Sequence, residues 1–299
     1  MPKHLFYAEP MRPLEQRITR SMRDLLEPYH LAVVFAPAAL AVFKEAGLDR
    51  PWSPYFAGRI APLGEVGTPV VDAIFYHFAP ALTALELSYV RDCGAEKLLG
   101  LRLEAVDAGL RDALGAELLA SPELAEAAEL AVEAAAACAA APYGRPLGAA
   151  NAALPVPDQP HLALWQAATT LREWRGDGHN AALLAAELDE VEALTSIVAT
   201  GAERRRSLQP RRGWDDAAWQ AGIERLAARG LLTAEGELTP AGAALREQVE
   251  SMTDRLAAAP WRALGPERCR RLHELAAPLS ARVAESMGLR MPVGDFPEA

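Results

Sequence analysis

Apolar runs with a helical period, each bounded by proline or glycine, constrain the fold of this chain more than any other feature. In residues 14–26 the apolar side chains recur every three to four positions, and a helix is predicted over 95–114, ending at Gly115. Ser121-Pro122 begins the next helix, whose alanines through Ala141 favour helix by intrinsic propensity. The sequence therefore predicts an all-α protein built from many helices.

Composition limits the class of protein further. The chain has 299 residues, of which 51% are hydrophobic, and this is enough for two domains with a core. The net charge of -10 argues against a protein whose whole surface binds nucleic acid. Its three cysteines (Cys93, Cys138 and Cys269) are too far apart to suggest a disulfide framework or a zinc site. We expect a cytoplasmic protein that has no contact with a membrane.

Proline and glycine positions predict the internal boundaries. Five prolines and two glycines fall between residues 141 and 160, so we place an N-terminal helical domain at 1–141, a Pro-rich junction at 142–160 and a C-terminal helical domain at 161–299. Within these domains we expect a helix break at Glu27-Pro28 and a turn at residues 175–178. A helix starting at Thr68 is expected to continue through residues 75–78 towards Tyr89.

The clearest local module spans residues 214–256, within a segment of about 202–256. A helix opens at Asp215-Asp216, a glycine turn at Glu235-Gly236 separates two short strand-like pieces, and Thr239-Pro240 starts a long helix. This order resembles the MarR-type winged helix: a recognition helix, an abbreviated β wing and a following helix. The resemblance implies a minor β element in the C-terminal half and says less about function.

Several motifs together resemble an uncharacterised actinobacterial family of helical proteins with a C-terminal winged helix. They are Glu27-Pro28-Tyr29-His30, Tyr55-Phe56-Ala57-Gly58-Arg59, Pro62-Leu63-Gly64, and the segments 75–80, 157–165, 175–179 and 259–261. The resemblance covers most of the chain and implies a fold but no activity. Residues 103–130 and 219–245 also share an order of helix, glycine, leucine pair and proline-started helix, which suggests an internal duplication.

Residues 171–180 form the most polar interruption of a helical pattern. They place Arg172, Glu173, Arg175, Asp177 and His179 beside two glycines. One interpretation is a site for an anion, in which arginines donate hydrogen bonds and His179 transfers protons or bonds the ligand. The other is a capped turn with an internal ion pair, in which Arg175 meets Asp177 or Glu173.

The leading functional hypothesis is a small-molecule-binding protein with a pocket between the two halves. Ligand contacts are assigned to an arginine, histidine and aromatic set: Tyr55, Arg59, Trp165, Arg172, Arg175 and His179. Whether the protein is an enzyme stays open, with His179, His161, His30 and Asp177 as the candidate catalytic residues. No cofactor can be named from the sequence.

A metal site is not expected. Glu27 precedes His30 by three positions and Asp158 precedes His161 in the same way, a spacing that can supply two ligands from one helix. Each pair has a proline between acid and histidine, and neither has the second acidic helix that a carboxylate-bridged site needs.

The main alternative is a ligand-responsive DNA-binding regulator. Five arginines precede or enter the winged helix and are suited to phosphate contacts: Arg204, Arg205, Arg206, Arg211 and Arg212. Asp215 and Asp216 at the start of the recognition helix, with Glu235 and Glu237 in the wing, oppose this because they repel phosphate. A structural or partner-binding module is the third possibility, and a homodimer is left open.

Overall fold

The computed structural model describes residues 11–298, and within them the chain is helical without an assigned strand. The helices are α1 (Pro13–Phe35), α2 (Pro37–Glu45), α3 (Ser53–Ile60), α4 (Thr68–Phe75), α5 (Pro80–Val90), α6 (Ala95–Leu119), α7 (Pro122–Ala140), α8 (Pro146–Ala152), α9 (Pro160–Ala185), α10 (Glu190–Ala199), α11 (Arg205–Arg212), α12 (Asp216–Ala228), α13 (Pro240–Ala257), α14 (Ala259–Leu264) and α15 (Pro266–Ser286). The predicted all-α class is confirmed.

The chain forms two compact units, each built from segments that are distant in sequence. Unit 1 comprises the described parts of Met1–Glu65 and Asp254–Ala299, together with Tyr89–Asp177. Unit 2 comprises Val66–Ser88 and Gly178–Thr253. The predicted division at residues 142–160 follows chain order, whereas those residues lie wholly within unit 1.

Unit 1 is a helical bundle organised around α1 and α15. Helix α1 packs against α15, α2 and α6, while α7 packs against α14 and α15. The buried side chains include Met22, Leu25 and Tyr29 on α1 and Leu272 and Leu279 on α15. Helix α7 begins as predicted, with Ser121 Oγ accepting a hydrogen bond from the Leu124 N–H at 3.2 Å.

The predicted break at Glu27-Pro28 is wrong. Helix α1 passes through Pro28 and ends at Phe35, and the break lies at Ala36, which is extended before Pro37. The helical conformation is disfavoured for a residue that precedes proline. The neighbours Leu25, Leu26 and Tyr29 are nevertheless buried, and their packing keeps α1 helical through Pro28. Burial on both sides of the proline therefore outweighs its local cost.

Segment Pro13–Glu45 meets the length and hydropathy expected of a membrane span, with a mean hydropathy of 1.6 in its most apolar window. A buried core helix has the same composition, and 56% of that window is buried inside the protein. The segment alone therefore does not establish a membrane helix.

The predicted turn at residues 175–178 is also wrong, because α9 is one continuous helix from Pro160 to Ala185. A glycine inside a helix destabilises the helix by about 1 kcal/mol relative to alanine. A turn was therefore expected at Gly176 and Gly178. Trp174 is buried beside this stretch, and Asp177 bonds another helix, so tertiary contacts fix the helical conformation. Helix α9 then ends at Ala185, and α10 begins at Glu190.

Unit 2 places a short basic helix before a longer one. Helix α11 ends at Gly213, whose φ of 77° is left-handed, and α12 begins at Asp216 with Asp215 as its N-cap. Helix α10 packs on both α11 and α12. At Gly222 of α12 a Cβ would lie 2.7 Å from Val191 Cγ1, so glycine permits the close approach of α10 and α12.

A small hairpin follows α12. Leu232 and Leu238 form one antiparallel bridge, and the Thr233 N–H donates to the Glu237 carbonyl at 2.8 Å around Gly236. The two predicted strand-like pieces are thus reduced to a single bridge in the described residues. Gly230 before the hairpin has a φ of 69°, and Gly115 at the kink of α6 has a φ of 72°. Both precede a proline-started helix, but the internal duplication stays a prediction.

The helix expected to run through residues 75–78 is interrupted there. Helix α4 ends at Phe75, Tyr76 has a φ of 44°, and α5 starts at Pro80. The loop is held by other parts of unit 2: the Ala79 N–H donates to the Arg212 carbonyl at 2.8 Å, and Trp214 Nε1 donates to the His77 carbonyl at 3.0 Å. Contacts far along the chain therefore determine this break.

Candidate functional site

Three polar side chains of unit 1 gather around Glu173 of α9, and together with it they form what we call the Glu173 cluster: Tyr55, Arg59, Arg172 and Glu173. Arg59 of α3 donates Nε and Nη2 to the two carboxylate oxygens of Glu173, at 2.7 and 2.8 Å. Arg172 adds an Nη1 contact at 3.0 Å, and Tyr55 Oη accepts from Arg59 Nη1 at 2.6 Å. The structure thus joins three of the predicted ligand residues on a carboxylate that the sequence argument assigned no ligand role.

Burial makes this cluster electrostatically strong. The Glu173 side chain is 1% exposed, and that burial by itself raises its pKa. The nearby charges of Arg59 and Arg172 outweigh burial and hold the pKa of Glu173 well below its usual range. The cluster is therefore a charged assembly whose partners stabilise one another across α3 and α9.

Arg102 of α6 is a central residue that the sequence argument missed. It is 1% exposed and donates to the Gly58 carbonyl at 3.1 Å, to Asn151 Oδ1 at 3.0 Å and to Gln166 Oε1 at 2.8 Å. Its guanidinium lies 4.7 Å from the ring centroid of Trp165, a predicted ligand residue. Burial lowers the pKa of Arg102 to about 10. The sequence feature that could have identified Arg102 is the presence of an arginine within the apolar pattern of α6.

His30 of α1 lies in the same buried region. Its Nδ1 is 3.2 Å from Thr169 Oγ1, while its Nε2 is buried and has no hydrogen-bond partner among the described residues. Burial, reinforced by the charge of Arg172, holds the pKa of His30 well below its usual range. The imidazole is therefore neutral at physiological pH and differs from an exposed proton-transfer group.

Arg175 takes a partner that the sequence did not suggest. Its Nη2 lies 3.3 Å from Asp254 Oδ1, and the same carboxylate accepts from Arg20 Nε at 2.5 Å and Gln16 Nε2 at 3.1 Å. The Asp254 side chain is fully buried. The expected ion pair of Arg175 with Asp177 or Glu173 is replaced by this contact with Asp254.

Asp177 caps another helix instead of its own. Its Oδ2 accepts the N–H of Gly148 in the first turn of α8, at 2.8 Å. Burial raises the pKa of Asp177 to about 7, with a smaller contribution from the negative charge of Glu173. This carboxyl group is positioned to stabilise α8 rather than to terminate α9.

The other candidate catalytic histidines have separate partners. His161 Nε2 lies 2.6 Å from Asp107 Oδ1 in unit 1. His179 belongs to unit 2, where its Nδ1 is 2.9 Å from Thr253 Oγ1 and its ring stacks on His77 with centroids 6.2 Å apart. The assignment of ligand and catalytic residues stays a prediction.

Helices α11 and α12 of unit 2 follow one another in the order of a helix-turn-helix. Three residues, 213–215, connect them, and the left-handed glycine among them is common in such turns. The exposed arginines on α11 and immediately before it are Arg204, Arg205, Arg206 and Arg211, which we call the basic face. Arg212 instead lies over the Phe78 ring, 4.4 Å from its centroid.

The acids at the start of α12 are engaged by neighbours. Asp215 Oδ1 accepts the Ala218 N–H at 2.7 Å as the N-cap of α12. Asp216 Oδ1 accepts from Gln209 Nε2 at 3.0 Å and Arg205 Nη2 at 2.7 Å, and these bonds lower the pKa of Asp216. Arg205 partly neutralises Asp216, whereas Arg204 and Arg206 form no ion pair within the described chain.

Comparison with known proteins agrees with this order of two helices joined by a short turn. No curated protein and no solved structure gives a significant match. A model described as a helix-turn-helix family matches residues 19–290, which is most of the chain and includes α11 and α12. The chain therefore belongs to this helix-turn-helix family.

Proposed function

We propose that the chain binds duplex DNA through α11 and α12, as a transcriptional regulator. The observation that carries the proposal is the basic face, which lies on α11 and the residue before it, directly ahead of a three-residue turn and a second helix. In helix-turn-helix proteins the first helix crosses the phosphate backbone and the second enters the major groove. Family membership supports the same assignment.

Phosphate contacts are assigned to the basic face. Residues 204–212 contain five arginines and no acid, so this segment is locally cationic within an anionic chain. Arg204, Arg206 and Arg211 are exposed. Arg211 donates Nε to the Ser207 carbonyl at 3.0 Å, and its acidic partner is the exposed Glu203 at 3.4 Å. Phosphate can displace such a surface partner at small cost.

Base contacts are assigned to the outer side of α12. Gln220 and Glu224 are exposed one turn apart, and Gln220 Nε2 donates to Glu224 Oε1 at 3.2 Å. Glutamine can pair with adenine and glutamate can accept from cytosine in the major groove. Gln220 and Glu224 are therefore the residues of α12 suited to base contacts, while α11 supplies the attraction to phosphate.

The finer features of a MarR-like regulator belong to this proposal. The hairpin at residues 232–238 takes the place of an abbreviated wing, although Glu235 and Glu237 make it a poor phosphate contact. A homodimer would place two α12 helices on a two-fold symmetric site. A cytoplasmic location follows from the same role.

The test is binding of a fluorescein-labelled duplex, followed by fluorescence anisotropy at low salt. Replacing Arg204, Arg206 and Arg211 together by alanine is expected to weaken binding about tenfold or more, because three phosphate contacts are lost. The matched control replaces Arg255, Arg282 and Arg290, exposed arginines of unit 1, and removes the same charge. Equal affinity of the two triple variants would contradict the proposal and favour a scaffold role for the helix-turn-helix.

Small-molecule binding, with or without catalysis, is the second candidate function. The observation that favours it is that Arg59 and Arg172 bond a single buried carboxylate, that of Glu173. The buried Arg102 lies in the same region, where His30 Nε2 has no hydrogen-bond partner among the described residues. A citrate titration of thermal unfolding is expected to stabilise the wild type and to have less effect on Arg172→Met. Identical citrate responses of the two proteins would overturn this candidate.

A further inference from the structure

Unit 1 contains a cavity of about 630 Å³ that lies outside the set of predicted ligand residues. Its walls come from α1, α7 and α14, and the apolar lining includes Ile18, Ala136, Ala137, Ala140 and Trp261. Small-molecule pockets in proteins commonly enclose about 300–1,000 Å³ and are largely apolar. The cavity has the size and lining of a ligand site.

The cavity owes its volume to the alanines of α7. Ala136, Ala137 and Ala140 face it, and residues of leucine size at these positions would occupy much of the space. Elsewhere α7 packs closely through larger side chains, for example Leu124 and Leu130, which are buried. The same helix thus closes the core along one part and leaves a cavity along another.

One side of the cavity is polar and carries a guanidinium. Arg262 of α14 lines it, and its Nη2 donates to Glu15 Oε2 at 3.2 Å. Glu15 also accepts from Arg12 Nη2 at 2.9 Å, so two arginines share one carboxylate. Glu133, the other acid of the lining, is bonded to Arg268. A guanidinium has five N–H donors, and Arg262 uses one of them on Glu15.

We propose that this cavity binds an amphipathic organic anion. The apolar body packs between the α7 alanines and Trp261, and a single carboxylate or sulfonate accepts hydrogen bonds from Arg262. A cationic head would meet the shared positive charge of Arg12 and Arg262 and is disfavoured. The site is independent of DNA binding, since all of its residues belong to unit 1.

The experiment uses 1-anilinonaphthalene-8-sulfonate as the anionic probe on the full chain. Ala140→Phe fills the cavity and is expected to raise the dissociation constant of the probe about tenfold or more. Ala140 and Ala139 are both exposed, but Ala139 does not line the cavity. Ala139→Phe adds the same ring away from the cavity and is expected to leave the constant within about twofold of wild type. Equal affinities of these two variants would overturn the proposal.

Charge selectivity is tested with the same fluorescence. Decanoate is expected to displace the probe, and decyltrimethylammonium, with the same chain and opposite charge, is expected to displace it poorly. Arg262→Met is expected to weaken the anionic probe about fivefold to tenfold, while binding of neutral N-phenyl-1-naphthylamine changes little. Equal displacement by both decyl compounds, or equal loss of both probes, would contradict the assigned role of Arg262.

Discussion

The arginines of the Glu173 cluster and those of the basic face are the same residue type in opposite surroundings. Arg59 is buried and donates two hydrogen bonds to Glu173, whereas Arg204 and Arg206 are exposed in a segment without acids. Buried charges must be paired to be tolerated, while exposed charges remain available to an external phosphate. Burial therefore separates the arginines that stabilise the fold from the arginines that are suited to bind DNA, and the residue type alone does not.

The largest effect is expected at Glu173. Glu173→Gln removes the carboxylate that compensates Arg59 and Arg172, and breaking a buried pair in this way costs about 3–5 kcal/mol in the free energy of unfolding. The matched control is Glu126→Gln, because Glu126 forms a similar two-bond pair with Arg271 at 2.7 and 2.6 Å on the surface. Urea unfolding should show little change for that control.

A comparable loss in both variants would remove the distinction between buried and exposed pairs. The pH dependence of stability gives a second way to distinguish the buried pair from the exposed one, because the folded-state pKa of Glu173 is depressed. The stability that Glu173 contributes is present above the usual glutamate pKa and is lost as pH falls below it. The difference in the free energy of unfolding between Glu173→Gln and wild type should therefore become smaller under acid conditions.

Asp177 is expected to give the opposite pH dependence. Its folded-state pKa of about 7 lies above the ordinary aspartate value of 3.8, so the folded protein holds a proton that the unfolded chain releases. The free energy of unfolding should fall as pH rises from 3.8 to about 7, by about 2–4 kcal/mol from this group. Asp177→Asn keeps an acceptor for the Gly148 N–H and should remove this fall. Parallel pH profiles of the two proteins would contradict the buried-carboxyl interpretation.

Unit 2 depends on a close approach of two backbone segments at Gly242, the first glycine after the hairpin. A Cβ there would lie 2.0 Å from the Leu231 carbonyl oxygen, so the start of α13 and the end of the α12 turn cannot accept a side chain without moving. Gly242→Ala is expected to destabilise the protein by about 1–3 kcal/mol. Gly100→Ala is the control: Gly100 is helical and its added methyl meets nothing within 4 Å, so this change should stabilise by up to about 1 kcal/mol. The two alanine variants should therefore shift the thermal midpoint in opposite directions.

Local sequence patterns predicted the helical class and the order of elements from α12 to α13, whereas residues 202–213 were expected to be a loop and contain α11. The Asp215 cap and the Thr239-Pro240 start are local features, because each acts on residues within one turn. The errors at Pro28 and at residues 175–178 share one cause. In both places buried neighbours hold a helix through residues whose intrinsic preference opposes it.

The candidate site was predictable only in part. Arg59 and Arg172 stood out as charges in apolar surroundings, and the structure joins them on Glu173. Pairing of Arg59 with Glu173 spans 114 positions, and that of Arg175 with Asp254 spans 79, so no local spacing could reveal either contact. The same holds for Arg102, whose acceptors come from three other segments of unit 1.

The salt dependence of DNA binding is the most direct test of the proposal that the basic face contacts phosphate. For wild type, the logarithm of the association constant should fall linearly with the logarithm of salt concentration, because bound phosphates release counterions. Replacing Arg204, Arg206 and Arg211 by alanine should reduce the magnitude of that slope by about 2.7, at about 0.9 per lost phosphate contact, while the Arg255, Arg282 and Arg290 triple variant keeps the wild-type slope. An unchanged slope after loss of the three arginines of the basic face, or a wild type that does not bind at low salt, would contradict the account.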